Sequence, residues 1–101
     1  MVTKYIKDGQ VGVLYSPGYG AGWSTWGNSA LAVDSALVEA YINGGVEALR
    51  KITEEKYPGE YLGGIGQIEL GWISEGMAFR IKEYDGSESI EYYSSGNYFV
   101  A

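Results

Sequence analysis

The chain contains no cysteine and no histidine. Without cysteine there is no disulfide, no thiolate nucleophile and no thiolate metal site, a composition suited to a reducing compartment. Without histidine, the usual general base, the Ser–His pairing and the commonest metal ligand are all missing. A metal would need oxygen ligands alone, and the acidic residues do not fall at calcium-loop spacing. Cations are scarce as well. Seven Lys and Arg stand against thirteen Asp and Glu, a net charge of −6, which excludes a phosphate-tracking footprint on duplex DNA or RNA. A compact phosphorylated ligand needs only one or two cations and some backbone N–H groups, so it stays open. No apolar run approaches ~18 residues, and the opening MVTKY is polar. Neither a signal peptide nor a membrane span is expected, which places the chain in the cytoplasm.

What is present fits one small globular domain over residues 1–101. Hydrophobic residues make up 46% of the chain, enough for a modest core. Ten tyrosines among 101 residues supply rings that are apolar on the face and polar at the tip, which suits contact surfaces.

Residues 3–6 and 11–15 read as short strands joined at Asp8-Gly9, a tight-turn dipeptide. Alternation puts Val11, Val13 and Tyr15 on one face and Gly12 and Leu14 on the other. Residues 28–33 are either a helical turn or an extended connector. Asp34 is a candidate N-cap for a first helix that buries Leu37, Val38, Tyr41 and Ile42 and ends at Asn43-Gly44-Gly45. A second helix over 46–56 buries Val46, Leu49, Ile52 and Thr53, and Pro58-Gly59 stops it. Residues 60–66 lack phosphate-loop spacing and read as a close-packed or flexible turn. Strands follow at 67–73, 77–84 and 87–92, with Asp85-Gly86 as the clearest hairpin turn, and 98–100 adds a short last strand. The expected fold is α+β: an antiparallel sheet with two helices on one face, in the order ββ-αα-βββ.

The stretch that stands apart is 15–28, YSPGYGAGWSTWGN, with two of the three tryptophans in it. Glycine and proline exclude a regular helix or central strand, yet the run is too aromatic for a solvated linker. It is either a binding loop or a compact loop whose rings cap the core. As a binding loop, Tyr15, Tyr19, Trp23 and Trp26 would stack on bases. Ser16, Ser24 and Thr25 would donate hydroxyls, and Gly20 and Gly22 would turn backbone N–H groups toward an anion. Trp72, in mid-strand, reads as core. Arg80, between Phe79 and Ile81 on an apparent central strand, needs a partner: an internal Glu or a ligand phosphate, with Lys82 on the same face to assist. Lys4, Lys7, Lys51 and Lys56 read as ordinary surface. Glu88 and Glu91 point to opposite faces and read as solvated strand residues. No nucleophile has a visible activator, so catalysis is not expected, nor is a cofactor.

VGVLYSPGYGAGWSTW over 11–26, together with FRIKEYDGS over 79–87, resembles a recurrent group of small tailed-bacteriophage proteins marked by an AGWSTW loop and an EYDGSE hairpin. The likeness covers the N-terminal quarter and the C-terminal hairpin, and 29–66 has no part in it. It extends to the phage anti-CBASS sponges, small oligomers that sequester cyclic dinucleotides such as cyclic GMP-AMP. The resemblance implies a non-hydrolysing sponge in the host cytoplasm. Its ligand would be a cyclic oligonucleotide, held by the loop residues above with Arg80 and Lys82. A homo-oligomer, dimer or tetramer, would bring two copies of Arg80 to two phosphates, with Tyr92, Tyr93 and Tyr98 at the interface. Two other readings are open: a module that docks and inhibits a host protein through the aromatic loop, and a virion accessory. The direction of Trp23 and Trp26 separates the first two. A concave pocket with Arg80 nearby favours the sponge, and a flat aromatic patch favours a protein partner.

Overall fold

Two Asp-Gly turns and one kinked helix set the architecture. The structure is a computed structural model that describes residues 3–18, 22–60 and 62–92. Tyr19, Gly20, Tyr93, Tyr98 and the strand expected at 98–100 lie outside these residues. Strand β1 (Ile6–Lys7) turns at Asp8 and Gly9 into β2 (Gln10–Tyr15), and both turn residues have positive φ, 53° and 76°. A 3₁₀ turn follows at Ser29–Ala32, capped by the Asn28 side chain, and resolves the ambiguous connector as helical. Helix α1 (Ser35–Lys56) leads through a second 3₁₀ turn, Ile65–Gln67, to β3 (Glu69–Ser74). Strand β4 (Phe79–Tyr84) then turns at Asp85 and Gly86, with φ of 49° and 82°, into β5 (Ser87–Tyr92).

The result is α+β with antiparallel pairing throughout, but it differs from the expected order in two ways. Among the described residues the strands form two sheets, a three-stranded β1-β2-β3 and a two-stranded β4-β5. The helical residues form one element, where two helices separated at 43–45 were expected. Within it Gly45 leaves helical geometry (φ 69°, ψ −156°), a region open to glycine almost alone. A straight helix of this length would be about 33 Å long. Instead, side chains from its two ends touch. Asp34 accepts at 2.9 Å from the Ala36 N–H as the N-cap, as expected from its position. The same carboxylate accepts from the Tyr57 hydroxyl at 2.5 Å and pairs with Lys56 Nζ at 2.7 Å. Helix α1 therefore doubles back at Gly45, and Asp34 staples its ends. Lys56, expected to be ordinary surface, is part of that staple.

Burial raises the pKa of the Asp34 carboxyl, but Lys56, Tyr57 and the Ala36 N–H together outweigh it and hold the carboxyl below its ordinary value. Burial, together with the bond to Asp34 and its negative charge, pushes the Tyr57 hydroxyl up to about 12.

The three-stranded sheet is covered on both faces. Leu14 packs with Leu37, Val38 and Leu49 of α1 and with Trp23 and Leu31, while Tyr41 and Ile52 of α1 are partly buried beside them. Val11, Val13 and Ile73 pack against Phe79, Ile81 and Ile90 of the β4-β5 hairpin. The alternation along β2 thus divides its residues between two cores, as the period-two pattern predicts. Gly12 and Gly71 let the layers close. A Cβ at Gly12 would sit 2.9 Å from Val38 of α1, and one at Gly71 would sit 2.6 Å from Ile90 of the hairpin. Ile42, expected on the buried stripe, is 42% exposed. Among the described residues no helix is long and apolar enough to cross a membrane.

Candidate functional site

The aromatic-glycine loop is organised around an anion, and the anion belongs to the chain. Glu88, at the start of β5, is fully buried. Its Oε1 accepts from the Ser16 N–H at 3.0 Å. Its Oε2 accepts from the Trp23 N–H at 2.8 Å, the Thr25 N–H at 3.0 Å and the Thr25 hydroxyl at 2.5 Å. The backbone returns the contact, because the Glu88 N–H donates to the Ser16 carbonyl at 2.7 Å. Two further bonds fasten the hairpin to the loop: Gly22 N–H to the Gly86 carbonyl at 2.8 Å, and the Ser87 hydroxyl to the Pro17 carbonyl at 2.6 Å.

Glu88, expected to be a solvated strand residue, is instead enclosed. Its donors lie 63 to 72 residues away, so no local pattern displays them. One signal was present. By period-two alternation Glu88 shares a face with Ile90, the face that packs on the sheet, and an acid in that register needs donors. Glu91, on the other face, pairs with Arg80 Nε at 2.8 Å and lies 3.9 Å from Lys82 Nζ.

The other candidates are placed as follows. Trp23 is a core plug with no exposure, and its indole N–H donates to the Leu31 carbonyl at 3.1 Å. It is not a plate for a ligand. Ser16 and Ser24 are buried, and the Ser16 hydroxyl has no hydrogen-bond partner. Gly22 turns its N–H to Gly86, not outward. Trp26 lies with its ring over Gly22, where a Cβ would come within 2.6 Å of the indole, and remains 45% exposed. Tyr15 ends β2 half-buried, its hydroxyl 3.2 Å from Glu69. Arg80 and Lys82 sit on the outer, solvent-facing side of the hairpin, so the central-strand assignment for Arg80 does not hold. Its internal-Glu alternative is the one observed.

The loop therefore brings Ser16, Trp23 and Thr25 together around Glu88 and keeps Trp26 at the surface. It does not bring Arg80 into that cluster through any of these contacts. An open hollow lined by Lys7, Asp8, Gln10 and Trp72 lies instead at the β1-β2 turn. Trp72 is half-buried and lines this hollow. Among the described residues no three acidic side chains converge to hold a metal ion. No family model matches this chain, and comparison with curated proteins and with solved structures finds no relative.

Proposed function

We propose that the chain is a non-catalytic binding module of a tailed bacteriophage that docks a host protein in the host cytoplasm. The contact surface is the rim where the aromatic loop meets the β4-β5 turn. The observation that carries this reading is the Glu88 latch. The N–H and hydroxyl donors that would grip a ligand phosphate are spent on an internal carboxylate. What the latched loop offers outward is the Trp26 ring. Trp26, 45% exposed, rests on Gly22, and Gly22 is bonded to Gly86, two residues beyond Tyr84, which is 71% exposed. Exposed aromatics on a pre-ordered frame lose little conformational freedom on binding, which favours them as anchors. The acidic charge of −6 would steer such a module toward a basic partner surface.

Sequestration of a cyclic dinucleotide by a homo-oligomer remains the competing reading, and one experiment separates the two. Host proteins are captured on the immobilised parent, on Trp26→Ala, on Tyr84→Ala and on Ile42→Ala, whose changed residue lies on α1. In parallel, cyclic di- and trinucleotides are titrated in a thermal-shift assay. The docking reading expects one host protein retained by the parent and by Ile42→Ala and lost from both aromatic variants, with no nucleotide-dependent shift. A rise in Tm that follows nucleotide concentration and disappears in Trp26→Ala would restore the sponge. Equal capture by all four proteins would defeat the docking surface.

A further inference from the structure

The antiparallel register stacks side chains in rows across the α1-facing side of the three-stranded sheet. Paired residues share a face, so Leu14 and Leu70 form one row and Gly12 and Trp72 the next. Tyr5 joins the second row, since its carbonyl accepts from the Gly12 N–H at 2.9 Å. With no side chain between them, the Tyr5 and Trp72 rings meet over Gly12, centroids 6.0 Å apart and tilted by 55°. Val38 of α1 reaches this second row. The third row, Lys7, Gln10 and Ser74, lies beyond it at the end of the sheet. There, with Asp8 in the turn, the surface forms an open dish of about 230 Å³ walled by Trp72.

We propose that this dish binds a neutral saccharide ring, stacked on Trp72 and hydrogen-bonded by Lys7, Asp8 and Gln10. An aromatic wall beside a few convergent polar groups is the usual make-up of a small-ligand site. The polar set is specific. Lys7 only donates, the Asp8 carboxylate only accepts, and the Gln10 amide does both. Adjacent ring hydroxyls each donate and accept, so such a set can satisfy them in pairs, while the C–H face of the ring covers the indole. One positive and one negative side chain leave the dish neutral, and Asp8 repels phosphates and carboxylates. Tyr5 holds the indole in place before any ligand arrives. The site is independent of the aromatic loop, which lies at the other end of β2.

The test follows the three indole N–H signals of the ¹⁵N-labelled protein, assigned with single Trp→Phe variants, as free pyranoses and, separately, nucleosides are added to millimolar concentration. The Trp72 signal is expected to move saturably with at least one pyranose while those of Trp23 and Trp26 stay fixed. Asp8→Asn keeps a residue that tolerates the positive φ of this turn, and Gln10→Ala leaves the strand. Each is expected to weaken the response about tenfold, the cost of one good hydrogen bond. Trp26→Ala is expected to leave it intact, which separates this site from the docking surface. No Trp72 response to any pyranose, an undiminished response in both polar variants, or a response to nucleosides alone would overturn the proposal.

Discussion

Asp34 and Glu88 are both carboxylates with almost no exposed surface, and they are buried by opposite means. Asp34 sits at the junction of the two ends of α1 and is neutralised by a cation, Lys56, whose own side chain is 44% exposed. Glu88 is met by three backbone N–H groups and one threonine hydroxyl. A formal charge can thus be lodged inside a 101-residue chain either by an ion pair at the rim or by dipoles gathered from a loop. The difference decides what each group does. Asp34 joins two ends of one element, 23 residues apart. Glu88 gives a glycine-rich run, which has little regular structure of its own, a fixed shape.

The sharpest way to break this comparison is to remove the Glu88 carboxylate. Glu88→Ala would strand two buried N–H groups, of Ser16 and Trp23, and a partly buried one, of Thr25, and is expected to cost about 3 kcal/mol in urea unfolding. Glu88→Gln keeps the shape but turns one acceptor into a donor facing N–H groups. It also loses charge assistance, so roughly half that cost is expected. If both variants unfold at the parent's midpoint, the loop holds its shape without the latch.

Asp34 predicts a smaller loss with a pH signature. Asp34→Ala removes cap and staple together and is expected to cost about 2 kcal/mol. Asp34→Asn retains the cap and costs about 1 kcal/mol. The folded carboxyl lies below its ordinary value of 3.8. Its stabilisation is therefore complete above that value and is lost as pH falls through the lower, folded one. The Tyr57 hydroxyl is shifted the other way, from 10.0 to about 12. Its contribution is complete below pH 10 and fades as pH rises toward about 12. Urea midpoints measured across both windows should fall at each end in the parent. Asp34→Asn should remove the acid loss assigned to this group, and Tyr57→Phe the alkaline one. A parent profile unchanged by either substitution would disprove the staple.

The smallest effect separates backbone from side chain within the latch. Ser16 donates its N–H to Glu88, but its hydroxyl is buried with no partner. Ser16→Ala keeps the first and discards the second, so stability should be equal or up to about 1 kcal/mol higher. A clear loss in the same unfolding assay would mean that the hydroxyl has a role that its geometry does not show.

The sequence displayed whatever depends on neighbours in the chain. Asp8-Gly9 and Asp85-Gly86 marked turns because their positive φ suits few other pairs. Asp34 marked a cap because the N–H that its carboxylate accepts from, that of Ala36, lies only two residues on. Period-two alternation along β2 separated its two faces. It could not reveal that the hairpin leaves the main sheet and covers its far face, because that depends on Gly71 admitting Ile90. The break within the helical stretch was legible at Asn43-Gly44-Gly45, although only Gly45 departs from helical geometry and the two arms run on as one element. The loop's chemistry was half legible. Its composition does announce a site for an anion, but the anion comes from the far end of the chain. As a ligand loop it would turn Trp23 and Ser16 outward, when both are enclosed, and for Trp23 the other reading, a ring that caps the core, is the one that holds.

The long chain separation of the Glu88 bonds also fixes when they form. Closing the 23 residues between Asp34 and Tyr57 costs less chain entropy than closing the 72 between Ser16 and Glu88. By that measure the helical arms are expected to meet before the latch closes. A contact made that late contributes little to the speed of folding and much to how long the native state lasts once formed. Removing the Glu88 carboxylate is accordingly expected to speed unfolding more than it slows refolding, a split that stopped-flow rates in urea would read.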